Sequence, residues 1–252
     1  MRRFATICAL ALLAGCTVLA LAPSSAVASN PTFAFPSSSS SVVGSVGFIN
    51  STEVGYFWSA ARGDKVSETF TGPSEISRAI LNVDVVTNVL NSGNQVDWNL
   101  QINGTPVGSF AVHEGVTGAV TLDVSFPPIA GPSYNVTIRV TNQVPGGGGS
   151  ISLAYAGSLP HSIQLFESAA ANIADLQATV AGLGLPKGLT TALNAKLNDA
   201  LNDLNAGDTA GACDSLQAFL NQVKAQTGKA LTSAQAQQLT DAANAIRTQL
   251  GC

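Results

Sequence analysis

Two stretches of strict alternation, residues 79–85 and 96–102, constrain this 252-residue chain more than any other feature. In the first, Leu81, Val83 and Val85 fall on one side of an extended chain and Asn82 and Asp84 on the other. In the second, Val96, Trp98, Leu100 and Ile102 oppose Asp97, Asn99 and Gln101. A period of two is what a strand with one buried and one wet face requires, and antiparallel pairing usually satisfies it. Asn103-Gly104 supplies the two positive-φ positions of a tight hairpin, so residues 106–112 are predicted to return along 96–102. Residues 77–90 and 95–113 are thereby predicted as a central pair of strand segments, with the rest of the first half built around them.

The same pattern recurs on both sides. Val66 and Phe70 share a face within 65–71. Val120, Leu122, Val124 and Phe126 oppose Thr121, Asp123 and Ser125, and Tyr134, Val136, Ile138 and Val140 point one way along 134–144. Residues 42–50, 54–60 and 151–155 read as further short strands. Eight or nine strands with turn signals and no helix between them predict an all-β antiparallel sandwich, jelly-roll-like. Trp98 shares its face with Val96, Leu100 and Ile102, which assigns it to the core. In Tyr56-Phe57-Trp58 alternation leaves at least one ring outside the core, to cap an edge or to stack on a sugar.

The alternation stops at Ala156, and Gly157-Ser158-Leu159-Pro160 reads as a hinge. From Ser162 onward the period becomes helical. Ile173, Leu176, Val180 and Leu183 form one apolar stripe, and Leu189, Leu193, Leu197, Leu201 and Leu204 a second. Leu216, Phe219, Leu220 and Val223 form a third, and Leu239, Ala243, Ile246 and Leu250 a fourth, which follows the capping-box string Thr232-Ser233-Ala234-Gln235. Four amphipathic helices on short loops predict an all-α four-helix bundle. The organisation read from the sequence is a signal peptide at 1–28, a flexible Ser/Pro-rich lead at 29–41, a β-sandwich at 42–158 and a helical bundle at 159–252.

Within the helical half, the run 216–223 (LQAFLNQV), then 228–232 (GKALT) and Gln235-Ala236, resembles the FIMAH-type helical module. The resemblance spans residues 163–250. It implies a bacterial extracellular protein in which the helices are an appendage to another domain, and it brings no catalytic residues with it. The sandwich resembles carbohydrate-binding jelly rolls in general architecture only, and architecture alone does not assign a function.

Met1-Arg2-Arg3 followed by a long apolar run, then Ala26-Val27-Ala28 before Ser29, has the form of a secretory signal peptide. A second reading stays open: Leu13-Ala14-Gly15-Cys16 resembles the lipobox of bacterial lipoproteins, which would leave Cys16 lipidated and the chain tethered to a membrane surface. Otherwise no membrane contact is expected. Cys213, near the start of the third helix, and Cys252, just after the fourth, are expected to pair in an oxidising compartment, because adjacent antiparallel helices bring such positions together. Removing Arg2 and Arg3 from the eleven basic residues leaves nine against fifteen acidic ones. With no basic cluster, a nucleic-acid partner is not expected.

The polar sides of the strands collect Asn82, Asp84, Asp97, Asn99, Gln101, Asp123 and Arg139, which are the candidate ligand-binding residues. They form either a solvated outer face or a polar groove, since amides and carboxylates suit sugar hydroxyls. No catalytic residues are assigned: His113-Glu114 lacks the second histidine of a zinc protease, and no nucleophile-elbow string occurs. No metal site and no cofactor are expected; calcium is conceivable between carboxylates, but no loop spacing supports it. Arg62-Gly63-Asp64 matches an adhesion tripeptide on a turn. The functional expectation is a non-catalytic secreted or surface-attached protein whose sandwich binds a polysaccharide or cell-surface polymer. The alternative is a structural or adhesive envelope protein without a small ligand, and a glycoside hydrolase stands third.

Overall fold

The computed structural model describes residues 30–37, 39–47, 53–58, 60–144, 149–155 and 161–252. The signal segment, the tetraglycine stretch up to Gly148 and the hinge at 157–160 lie outside the described residues. In chain order the strands are β1 (Thr32–Ala34), β2 (Ser41–Val43), β3 (Val46–Gly47), β4 (Glu53–Trp58), β5 (Lys65–Thr71) and β6 (Glu75–Val85). They continue as β7 (Thr87–Asn88), β8 (Gln95–Ile102), β9 (Thr105–His113), β10 (Gly118–Ala130), β11 (Ser133–Val140), β12 (Ser150–Tyr155) and β13 (Ser162–Glu167). Four helices follow: α1 (Ala169–Gly182), α2 (Lys187–Asn205), α3 (Thr209–Gln226) and α4 (Ser233–Leu250). The chain is thus an antiparallel β-sandwich followed by a four-helix bundle.

Three antiparallel sheets form the first half, in the orders β1-β13-β6-β10, β2-β5-β11-β8-β9 and β3-β4-β12-β7. The third extends the first, because β7 continues β6 after one residue. Alternation delivers the core as predicted: Leu81, Val83 and Val85 of β6 join Val96, Trp98, Leu100 and Ile102 of β8 and Val136, Ile138 and Val140 of β11 in one buried cluster. Trp98 is fully enclosed and stacks on Phe110, with ring centroids 5.2 Å apart. The β8–β9 hairpin turns on Asn103 and Gly104, both at positive φ (51° and 81°), as their sequence demands. The side chains of Tyr56, Phe57 and Trp58 lie outside what is described.

The structure departs from the sequence reading in three places. First, β6 and β8 do not pair; they belong to different sheets and meet through their apolar faces. Two strands with equally apolar inner sides can share one core from opposite layers, and alternation alone does not say which. Second, the lead is built into the sandwich. β1 pairs with β13, Phe35 is fully buried, and Phe33 stacks on Phe70 at 4.5 Å. Within the serine run, the hydroxyls of Ser37 and Ser40 both donate to Glu68 Oε2 at 2.7 Å. Third, residues 162–167 are a strand rather than the start of the helices: Ile163 and Leu165 point into the sandwich core, and β13 runs between β1 and β6.

The helices begin at Ser168, whose Oγ accepts from Ala171 N at 3.0 Å and caps α1. Ile173, Leu176, Val180, Leu193, Leu197, Leu216, Phe219, Val223, Leu239 and Ile246 form a second buried cluster, which matches the predicted stripes. The capping box at Thr232 and Gln235 is complete. Cys213 and Cys252 form a disulfide that ties the first turns of α3 to the end of α4, their Cα atoms 6.0 Å apart. Among the described residues no helix is long and apolar enough to cross a membrane.

Candidate functional site

Because both apolar faces meet in one core, the two polar faces lie on opposite sides of the sandwich. The seven candidate residues therefore divide. Asp97, Asn99, Gln101 and Arg139 share the outer face of the five-stranded sheet, with Arg139 directly beside Asn99 in the β11–β8 register. Asn82 and Asp123 lie on the outer face of the four-stranded sheet, while Asp84 is buried. A single groove uniting all seven does not form. On the first face Gln95 Nε2 donates to Asp97 Oδ1 at 2.8 Å and Ser67 and Thr137 share a 2.9 Å bond, while Asn99 Oδ1 is shut off from solvent with no hydrogen-bond partner among the described residues. Asp64 of the Arg-Gly-Asp turn is buried, and its Oδ2 accepts from Ala61 N at 2.9 Å, so the turn does not present its carboxylate.

The second face leads into a cleft. Where β6 passes Ser77, its register shifts against both neighbours: Arg78 opposes Phe166 and Ser125, while Ile76 opposes Glu167 and Ile129. The extra residue keeps Ile76 and Ala79 in the core and turns both Ser77 and Arg78 outward. There Arg78 lies over the Phe166 ring, 4.6 Å from its centroid. Its Nε and Nη2 also hold the Asp123 carboxylate at 2.8 and 2.6 Å. Those hydrogen bonds hold the Asp123 carboxyl below its usual range, against the opposing effect of desolvation, and raise Arg78 in return. The pair is about half exposed, so it contributes at most about 1 kcal/mol to stability; its effect is to hold a guanidinium over an aromatic ring.

The opposite wall comes from the bundle. Gln249 of α4 donates through Nε2 to Glu167 O at 2.6 Å and accepts from Asn172 Nδ2 of α1 at 2.9 Å. Asn30 Oδ1 accepts from Glu167 N at 3.2 Å, Ser168 N donates to Glu75 O at 3.0 Å, and the Ser168 hydroxyl donates to Glu75 Oε1. This network clamps the helices onto the end of the sheet and encloses a cleft of about 510 Å³ between β6, β10, β13, α1 and α4. Phe126 and Phe166 give it apolar surface. Asn30 Nδ2, Asn172 Oδ1 and the hydroxyls of Ser77 and Ser125 line it without a hydrogen-bond partner among the described residues. A concave site that mixes aromatic surface with a few oriented polar groups is the usual form of a ligand pocket. Among the described residues no three His, Cys, Asp or Glu side chains converge on a metal position.

Asp123 is the one candidate from the sequence that the structure couples to this cleft. Arg78, Phe166, Asn172 and Gln249 come from four different elements, and nothing in their local sequence connects them. Only Ser77-Arg78, two polar residues in succession within an alternating strand, leaves a trace of the bulge.

No curated protein matches the sequence. Among solved structures, the CBM36-1 domain of a multidomain xylanase from the hindgut metagenome of Trinervitermes trinervoides aligns at 18% identity and a TM-score of 0.36. That alignment covers 52% of this chain and 92% of that one. A CBM36 module in complex with calcium and xylotriose aligns at 15% identity and 0.34, covering 50% and 92%. A family 35 carbohydrate-binding module from an environmental isolate aligns at 11% and 0.35, covering 53% and 90%. Similarities this distant carry no function across. For the helical half the correspondence is of another kind: residues 172–248, running from α1 through α4, match the family model of the FIMAH domain.

Proposed function

We propose that this protein is a non-catalytic, exported glycan-binding protein, and that the cleft between the sandwich and the helices receives a polysaccharide segment. The observation that carries the reading is the composition of that cleft. Phe166 and Phe126 offer surface to the C–H face of a sugar ring. Among the described residues, Asn30, Asn172, Ser77 and Ser125 keep valences of both hydrogen-bond senses without a partner, which suit hydroxyls that donate and accept. Arg78 is already neutralised by Asp123, so the cleft favours a neutral polymer over an anionic one. The amino-terminal segment supports export, and the Cys213–Cys252 bridge suits an oxidising compartment. Residues 1–28 act as the signal in this reading, with lipidation at Cys16 as the other route to the envelope.

The test is affinity electrophoresis of the intact protein through gels containing xylan, mannan or β-glucan, with reducing-sugar release assayed in parallel. Retardation by at least one polymer without release of sugar is expected, weakened about tenfold by Phe166→Ala. Equal retardation of Phe166→Ala, or mobility unaffected by any neutral polymer, refutes the assignment. Release of reducing ends refutes the non-catalytic part.

A further inference from the structure

A second concavity, about 530 Å³, lies between α3 and α4 and shares no residue with the cleft. Its lining contains Lys224 and Arg247 and not one carboxylate, although acidic residues outnumber basic ones in the chain by fifteen to eleven. Hydrogen bonds orient its amides. Arg247 Nη1 donates to Gln217 Oε1 at 2.7 Å, and Gln217 Nε2 donates to Asn221 Oδ1 at 3.0 Å. This relay consumes acceptors and leaves Asn221 Nδ2 and Lys224 Nζ as donors along the α3 wall. Arg247 Nε is shut off from solvent and has no hydrogen-bond partner among the described residues. The only acid of α4, Asp241, accepts from Gln237 on its own helix at 2.7 Å and does not line the groove. Lys224 makes no ion pair with any described residue.

A groove lined by two cationic side chains and no carboxylate selects an anion. Two cations are too few to track a nucleic-acid backbone. They suit a polymer with one charge per unit, and the side chains of Thr227, Ser233 and Asn244 beside them can meet hydroxyls. We propose that the α3–α4 groove binds an anionic glycan through its uronate carboxylates, giving the helical half a charge-selective contact separate from the cleft.

Isothermal titration of the intact, disulfide-bonded protein with an oligogalacturonate, set against its methyl ester, tests this. The acid form is expected to bind at least tenfold more tightly than the ester and to weaken with ionic strength. Lys224→Gln is expected to weaken it by about tenfold, while Phe166→Ala leaves it unchanged. An ester that binds as tightly as the acid, an unaffected Lys224→Gln, or no binding of the oligogalacturonate overturns the proposal. Binding of dextran sulfate alone overturns its carboxylate assignment. Because the ligand here is charged and the variant lies on α3, failure of this proposal and failure of the neutral-polymer reading are separately visible.

Discussion

Replacing Cys252 by Ser opens the one covalent cross-link among the described residues, and the structure sets the size of the consequence. The bridge joins two residues 39 positions apart and closes a loop that holds most of α3 and all of α4. On the chain-entropy relation, releasing that loop in the unfolded state removes about 4 kcal/mol of stability. The local anchors of α4 survive the change: the Thr232–Gln235 box at its start, and at its end the left-handed Gly251, whose N–H reaches Thr248 O at 3.2 Å. The helix should therefore still form, with the loss falling on the unfolding equilibrium of the helical half. For a unit of this size each kcal/mol moves the midpoint by roughly 4–8 °C, so a fall of roughly 15–30 °C is expected. Far-ultraviolet circular dichroism of the oxidised, reduced and Cys252→Ser proteins measures it, with alkylation and mass spectrometry confirming the thiol state. The reduced protein and the Cys252→Ser variant should melt together. An unchanged melting temperature in a protein whose thiols are demonstrably free refutes the reasoning.

Two further outcomes follow from the fold. Tyr134 is fully enclosed, donates to Pro73 O at 2.9 Å, and is pushed up to about 12 from its ordinary 10.0, mainly by burial and then by Glu75 and Glu167. Its stabilising effect is complete below pH 10 and is lost as pH rises through 12; by pH 11 about 1.4 kcal/mol should be gone. Urea unfolding at pH 9 and 11 should show that loss in the wild type and not in Tyr134→Phe, and equal losses in both contradict it. A fragment of residues 42–158 lacks β1 and β13 and bares the edge of β6, so it should aggregate or remain unfolded, whereas residues 30–167 should give a cooperative melt; a folded 42–158 fragment contradicts the register.

The strands and their inner faces were readable because each needs only its own residues: Val96, Trp98, Leu100 and Ile102 state their burial by spacing alone, and so do the leucine stripes of the bundle. What the sequence withheld was pairing. Nothing in residues 77–113 distinguishes two strands side by side from two strands facing across a core, and the answer decides which polar residues are neighbours. That is why Asp123 and Asp97, equivalent by alternation, stand on opposite sides of the molecule. β1 and β13 were hidden for a different reason. Three residues are too few for a period, and the short alternation of residues 162–167 adjoins a helical region whose stronger pattern absorbs it. The cleft was the least legible feature, since it is assembled from a bulge, the last strand of the sandwich and the last helix of the bundle.

The pairing of β1 with β13 has a consequence for the order in which the molecule can be completed. Ribosomes make a chain from its first residue, and the first strand of this sandwich has its partner in the last. Thr32–Ala34 must wait until some 130 residues have followed before Ser162–Glu167 exists to receive it, and β6 waits for the same strand. Contacts so distant along the chain close late and slowly. During that interval one side of β6 carries unpaired amides and carbonyls, the template on which stray strands add. Ser168 and α1 come immediately after the strand that seals this edge, so the helices emerge onto a sheet at the moment it becomes safe to dock against.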